Sequence, residues 1–306
     1  MIQELWSGYG YILRVGIEST EPRAPQSIIV KSISPGTHND HPRGWNSDHS
    51  NHRKIRSYAV EAAWYRHYSK DCEGVCRIPS LLAASESSMR SWLVLEDLDV
   101  LYPRRHSRLN ARSVGPCLQW LACFHAQFLG HQGQHLWPVG TYWHLGTRQD
   151  EFAAMPDGPV KQAAEKLDST LRGARYKTLV HGDAKVANVC FSRTGDAVAM
   201  VDFQYVGCGI GVQDVAYFLG SCLDEETYES CEALLLDFYF SALKERIADS
   251  VAMEVEAEWR ALYPIACADF HRFLLGWMPT HPKINKCLEK TTYLALEALS
   301  LPVTRS

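Results

Sequence analysis

His181-Gly182-Asp183-Ala184-Lys185-Val186-Ala187-Asn188, with Asp202-Phe203-Gln204 beginning fourteen residues after the asparagine, decides how this chain is read. The two stretches hold two carboxylates and a side-chain amide, all hard oxygen ligands of the kind Mg²⁺ prefers. Apolar runs at 177–180, 189–191 and 197–201 flank them and predict short buried strands, with a turn at Thr194-Gly195-Asp196. Two adjacent strands then carry Asn188 and Asp202 toward one point, with Asp183 on the loop just before. That arrangement suits phosphoryl transfer, in which a base orients the nucleophile while Asn and Asp hold the metal on the nucleotide phosphates.

Working outward, 306 residues are enough to bury a substantial core as one large domain or two lobes. Hydrophobic residues at 46% and charged residues at 22% are ordinary for a soluble globular protein. A net charge of −4 supplies no basic field, so neither nucleic acid nor an anionic membrane is expected as a partner. The opening Met1 to Gly8 has no basic segment followed by an apolar one, so no signal peptide is expected. No uncharged apolar run is long enough to span a bilayer, and a cytoplasmic location is expected. The ten cysteines are scattered, without a Cys-x-x-Cys pair, and read as reduced thiols packed as small hydrophobes.

The first third reads as strands with one helix. Residues 2–5, 11–17 and 27–33 are short apolar or β-branched runs, and 79–84 and 91–96 complete a sheet of about five strands. Ile55, Tyr58, Ala62 and Tyr65 recur at helical spacing and predict a helix over 54–68. Between Pro35 and His52 there is almost no apolar periodicity, which predicts a loop whose length makes it either functional or mobile. The rest reads mainly as helix, over 110–129, 158–171 (Asp157 as N-cap, Gly173 past its end), 212–223, 228–247, 254–277 and 287–299. Strands followed by helices predict an α+β bilobal fold. An N-terminal lobe at 1–97 carries the antiparallel five-stranded sheet with one helix, and a larger, mostly helical lobe occupies 98–306.

Asp183 alone reads equally as a turn aspartate satisfying local amides. Asn188 five residues on, and Asp202 across the hairpin, decide for a base that accepts or positions a hydroxyl proton. His181 braces the loop. Lys185 either stabilises the transferring phosphoryl group or is a solvated loop lysine. Lys31, at the end of the Ser27–Val30 run, suits the α- and β-phosphates if a carboxylate fixes it, and Glu61 on the following helix is the natural partner; Lys54, in a polar run, competes less well. Gly8 and Gly10 permit close backbone approach to phosphates, as any glycine-containing hairpin turn would. Trp92 to Leu98 is apolar and then acidic, so its backbone could meet an adenine edge at the lobe junction. Asp214 after Gly209-Ile210-Gly211 is either an N-cap or a brace under the 181–188 loop, and we favour the brace.

Two unusual segments are candidates for reading the acceptor. One is 35–54, with His38, His41, His49, His52, Arg43, Trp45 and Arg53; its histidine spacing fits no ordered metal pattern, and a lid or substrate loop is the better reading. The other is 137–148, with Trp143 and Arg148, whose aromatics either line a pocket or seal the lobe interface. Asp269, amid apolar neighbours, is a candidate acceptor-binding carboxylate. With the aromatic loop it would suit a cationic or amphipathic acceptor.

On these residues the chain resembles the aminoglycoside phosphotransferase and choline kinase superfamily of protein-kinase-like enzymes, and looks closest to its ecdysteroid-kinase-like, or choline-kinase-like, branch. The motifs that carry the resemblance are His-Gly-Asp-(x)₄-Asn at 181–188, Asp-Phe-Gln at 202–204 with Gly211-Val-Gln-Asp214 after it, and Leu-Glu-Asp-Leu at 95–98. It extends in order from Gly8 to about Ala242, while the C-terminal helices match only in character. The resemblance implies Asp183 as base, Asn188 and Asp202 as Mg²⁺ ligands, Lys31 with Glu61 at the ATP phosphates, and Glu96 to Leu98 as the adenine-contacting hinge. Lys185 matches the catalytic-loop lysine of protein kinases. Gly182 stands where protein kinases carry Arg, and no Ala-Pro-Glu segment follows Asp202; both departures point away from protein substrates.

The function expected from the sequence is therefore transfer of the γ-phosphoryl group of Mg·ATP to a hydroxyl of a small acceptor: an amino alcohol, sterol-like alcohol, sugar or aminoglycoside. A protein Ser/Thr kinase is a weaker enzymatic alternative. A catalytically inactive kinase-like binding module is the alternative from another class, and the full set Lys31, Glu61, Asp183, Asn188 and Asp202 argues against it. The sequence leaves the acceptor and the oligomeric state open.

Overall fold

Short apolar and β-branched runs build the N-terminal sheet, with successive side chains on opposite faces. The computed structural model describes residues 1–5, 8–21, 24–34, 48–86 and 90–300. Strands β1 (Gln3–Glu4), β2 (Gly10–Gly16) and β3 (Ser27–Ile33) are followed by helix α1 (Asp48–His67) and strands β4 (Leu81–Glu86) and β5 (Ser91–Glu96). The five strands form one antiparallel sheet in the order β1-β2-β3-β5-β4. Ile29 pairs with Leu95 and Lys31 with Leu93. Ile29 and Lys31, two residues apart, share one face of β3, and that face looks into the main cavity of the protein.

Helix α1 begins at Asp48, so the expected loop ends earlier than apolar periodicity predicts, and His49, His52 and Arg53 are helical. Contacts from outside the segment hold this polar first turn: Asn51 accepts the Tyr9 hydroxyl, and Arg53 donates to the Thr147 carbonyl at 2.8 Å. Periodicity cannot register such tertiary anchors. His38, His41, Arg43 and Trp45 lie outside the described residues.

The remaining chain is mainly helical. Helix α2 (Ala111–Gln127) starts on a reciprocal cap, with Asn110 Oδ1 accepting the Ser113 amide and Ser113 Oγ accepting the Asn110 amide, both at 3.0 Å. A six-residue helix, α3 (Gln149–Ala154), follows the 137–148 loop; it is too short to show a periodic signal. The expected helix over 158–171 is two, α4 (Pro159–Gln162) and α5 (Ala164–Arg172), broken at Ala163. The N-cap is Gly158, and Asp157, one residue too early, instead pairs with Lys161 at 3.0 Å.

Strands β6 (Thr178–Val180), β7 (Val189–Phe191), β8 (Val198–Met200) and β9 (Gly207–Gly209) make two small ribbons, β6 with β9 and β7 with β8. Helices α6 (Gly211–Cys222), α7 (Glu225–Lys244), α8 (Asp249–Trp277) and α9 (Lys286–Ser300) complete the fold. None of the helices among the described residues is long and apolar enough to cross a membrane. An antiparallel five-stranded sheet with one helix, set on a mostly helical body, is the bilobal protein-kinase-like architecture expected from the sequence.

One aromatic column ties the sheet's helix to the loops that carry the candidate site. Trp64 of α1 stacks on Phe203 at 4.6 Å, Phe203 contacts the His181 ring at 4.6 Å, and Phe124 of α2 packs on Trp64 at 5.6 Å. Trp64, Phe124 and Phe203 are fully buried, each contributing roughly 2–3 kcal/mol of transfer free energy.

Helix α9 is held to α8 in part by His271, which is buried. Thr292 Oγ1 gives its proton to the Leu288 carbonyl, so His271 Nδ1–H donates to it at 2.9 Å, and Nε2 is left buried without a partner. Burial pushes the imidazole down to about 4. The unfolded chain binds the proton first, near 6.5, so the neutral ring's contribution to stability is complete above that pH and is lost as pH falls toward 4. Urea titrations at pH 7 and pH 4 should show wild type losing about 3 kcal/mol more than His271→Asn, which keeps the donor and cannot titrate.

Candidate active site

The loop after β6 is shaped by one carboxylate. Asp214, fully buried in the first turns of α6, accepts the His181 amide on Oδ2 at 2.6 Å and the Gly182 amide on Oδ1 at 2.9 Å. His125 Nε2 lies 3.1 Å from the same Oδ2, and its Nδ1 is 2.8 Å from the Tyr239 hydroxyl. Asp214 is thus no N-cap, since Ile210 holds that position. Sequence reasoning gave no role to His125, a histidine on an apolar helix face with nothing to distinguish it from core.

Gly182 has φ +77°, and a Cβ there would lie 2.1 Å from the Tyr205 carbonyl oxygen. Only glycine combines that left-handed conformation with that approach. His181 is buried, and burial lowers its pKa, so it is neutral; Nε2–H donates to the Val201 carbonyl at 3.1 Å and Nδ1 accepts the Asp183 amide at 3.3 Å.

These supports present Asp183 to the cavity. Its Oδ2 accepts Lys185 Nζ at 2.8 Å and the Asn188 amide nitrogen at 3.2 Å, while Oδ1 is buried and has no partner. Asn188 also donates to the Asp183 carbonyl at 2.9 Å. Both bonds use its nitrogen, which leaves the amide oxygen unengaged. Asp202 sits across the β7–β8 ribbon at φ +71°, a conformation aspartate tolerates better than most residues. Gln204 donates to its Oδ1 at 2.7 Å.

Lys31 Nζ lies 2.5 Å from Glu61 Oε2 and 3.6 Å from Asp202 Oδ1. Burial opposes the charge on Lys31, yet the two facing carboxylates hold its pKa above the ordinary value. Burial lifts Glu61 above its own usual range in spite of Lys31. Burial would also raise Asp202, but Lys31, Lys185 and Lys54 together hold that carboxyl below its usual range. Lys54 donates to Gln204 Oε1 at 2.9 Å, lies 4.7 Å from the centre of the Tyr58 ring, and is pushed down by burial.

A cavity of about 900 Å³ joins these groups. Ile12, Ile29, Lys31 and Leu95 to Asp99 line one end, and Asp183, Lys185, Asn188 and Asp202 line the middle. Tyr142, Arg148, Tyr217, Phe273, Trp277 and Lys283 line the other end. Glu96 accepts from Arg77 and, at 3.1 Å, from the Ser80 amide, so the side chain is engaged at the rim; its backbone pairs with β3 opposite Ile28. Gly8 and Gly10 are not among the lining residues, although Tyr9 between them is.

The three residues expected to read the acceptor fare differently. Arg148 lines the cavity and bonds Glu151 at 2.8 Å. Trp143 is buried against Tyr217 and Phe270, outside the lining. Asp269 pairs with Arg272 at 2.8 Å and faces a separate small hollow, so no anionic Asp269 awaits a cationic acceptor. Glu151, Tyr217 and Lys283 went unnoticed in the sequence because residues far apart in the chain bring them together.

Among the described residues no cluster of three or more His, Cys, Asp or Glu is poised for a metal. The unengaged oxygen of Asn188 and the ionised Asp202 nevertheless offer hard oxygens suited to Mg²⁺.

Comparison with known proteins agrees with the fold. The ecdysteroid kinase-like family model matches residues 143–250, the stretch that holds the 181–188 and 202–204 motifs. Amicoumacin kinase, solved in complex with AMP-PNP, Ca²⁺ and Ami, shares the fold with a TM-score of 0.55 at 12% identity, over 97% of this chain and 87% of that one. A type VIII aminoglycoside-3'-phosphotransferase (TM-score 0.48, 16% identity, 85% of this chain and 94% of that one) is also similar. So is an ethanolamine kinase of Plasmodium vivax (TM-score 0.48, 13% identity, 95% and 79%). No curated protein matches the chain. The chain thus resembles the ecdysteroid kinase-like family over residues 143–250 and shares its fold with a small-molecule kinase.

The geometry at Gly182 yields a direct test. Gly182→Ala should lower unfolding free energy by about 2–4 kcal/mol, read as a reduced urea midpoint, because the added Cβ meets backbone rather than a movable side chain. A midpoint equal to wild type would show that the loop can relax without cost.

Proposed function

We propose that the chain is a Mg·ATP-dependent kinase that transfers the γ-phosphoryl group to a hydroxyl of a small acceptor. The observation that carries this reading is the convergence of Asp183, Asn188, Asp202 and the Lys31–Glu61 pair on one cavity. Lys31, fixed by Glu61, would hold the α- and β-phosphates, and Asn188 and Asp202 would hold the metal. Bound Mg²⁺ supplies neutralisation of the charge that develops on the phosphates. Backbone groups from Glu96 to Leu98, which line the same cavity, would meet the adenine edge. Asp183, which lines the cavity beside Asn188 and Lys185, orients the acceptor hydroxyl and takes its proton as the bond to phosphorus forms. Lys185, held charged by Asp183 although burial opposes it, stands where it can neutralise the transferring group.

Gly182 supports a small acceptor over a protein one. The position admits no side chain, so the arginine that protein kinases carry there has no place.

Calorimetry of ATP with and without Mg²⁺, together with ADP release over a panel of small alcohols, tests the reading. Asp183→Asn should reduce turnover about a thousandfold while nucleotide affinity stays within roughly threefold of wild type. Asp202→Ala should abolish the Mg²⁺-dependent part of nucleotide binding. Turnover retained in Asp183→Asn would remove Asp183 from its role, and nucleotide binding indifferent to both Mg²⁺ and Asp202 would remove the kinase reading.

A further inference from the structure

The cavity end beyond Asp183 has a chemistry of its own. Its walls are aromatic: Tyr142 lies 5.2 Å from Phe273 and 5.4 Å from Tyr217, and Phe273 stacks on Trp277 at 5.6 Å. Three cations enter it, Arg53, Arg148 and Lys283; Glu151 lies among them and Asp183 borders them. Glu151 is already committed. Its Oε1 is 2.8 Å from Arg148 and 3.7 Å from Arg53, and its Oε2 is buried beyond reach of a ligand. It cannot move away, because Gly276 of α8 packs on the Glu151 backbone so closely that a Cβ would lie 2.0 Å from its carbonyl oxygen.

Lys283, in the turn between α8 and α9, has no ion-pair partner among the described residues. Its Nζ lies 4.4 Å from the centre of the Tyr217 ring and 5.5 Å from that of Phe270. A half-buried ammonium flanked by rings, with Asp183 near enough to favour its charge but outside ion-pair distance, retains part of its desolvation cost. Burial among these groups pushes its pKa down to about 8, so it is still mostly protonated at neutral pH. An anion from outside is the partner that would relieve it.

We infer that the acceptor is a flat, apolar alcohol carrying an anionic group, with its rings against the wall of Tyr142, Tyr217, Phe273 and Trp277 and its anion on Lys283. This rests on the kinase reading above and gives it a substrate class. A polycationic acceptor, such as an aminoglycoside, would meet three like charges, against Asp183 and the committed Glu151. Lys283 is then the residue that sets specificity, and Asp183 faces the alcohol.

The test uses three probes on one frame: hydroxymethyl naphthoate, its methyl ester, and the corresponding aminomethyl naphthalene methanol. Each is titrated calorimetrically into wild type, Lys283→Met and Lys283→Arg, with and without AMP-PNP and Mg²⁺. Wild type should bind the acid about tenfold or more tighter than the ester, and the amine most weakly. Lys283→Met should bind acid and ester within about twofold of each other, and Lys283→Arg should keep most of the preference. Lys283→Met removes a desolvated charge, so the variant should fold, which its thermal transition checks. The inference is overturned if the amine binds as well as the acid, if none of the three binds, or if Lys283→Met keeps the acid preference. It is equally overturned if that variant loses turnover alone, which would make Lys283 a group on the phosphoryl side. Failure of AMP-PNP to bind strikes the kinase reading instead, and the acid-to-ester ratio stays readable without nucleotide.

Discussion

The bond pair from the Asp214 carboxylate to the His181 and Gly182 amides is the constraint on which the candidate site depends. A left-handed glycine followed by an aspartate is not a conformation that a free loop holds. Here two adjacent amides point at one buried anion, the neutral His181 ring spans Val201 and Asp183, and Phe203 seals the ring from the side. Removing the anion would leave two buried amides without partners and His125 with half its contacts, a cost of several kcal/mol by ordinary hydrogen-bond energetics. The loop is rigid because helix α6 is rigid, and α6 is buried along most of its length.

From that fixed point the electrostatics follow as one coupled set. Burial penalises the charged forms of Lys31, Glu61, Asp202, Lys185 and Lys54 alike, and the opposite charges they face offset that penalty, fully for Lys31, Lys185 and Asp202 and in part for Glu61 and Lys54. None is a strong case for stability, since buried pairs rarely gain more than they lose to desolvation. Their value is positional: β3 delivers the lysine, α1 the glutamate, and the β7–β8 ribbon the second aspartate, so the cavity forms only when both lobes are folded.

Much of the architecture was legible in the sequence for plain reasons. Ser27–Ile33, Ser91–Glu96 and Val189–Phe191 are strands because their apolar or β-branched runs sit between turn residues, and α6 through α9 follow periodic apolar stripes. The misreadings have equally plain causes. The first turn of α1 is polar and depends on Tyr9 and Thr147, the 158–171 stretch breaks where no residue marks a break, and α3 and β9 are too short to carry a period. Trp143 and Asp269 looked like ligand-facing residues by composition, yet one packs in an aromatic cluster and the other is taken by Arg272.

The sequence by itself determined the local chemistry: which residues could act as base, as metal ligands and as phosphate-binding lysine. Those assignments rest on side-chain type and on spacings of a few residues along one loop and one hairpin. Only the tertiary structure decided what shares a space with them. Glu151, Tyr217 and Lys283 come from three elements up to 132 positions apart, and their convergence depends on how closely α3 and α8 approach through Gly276. Short-range patterns report backbone preference and burial, while the balance of charge around a cavity is a sum over residues that meet only when the helices have packed.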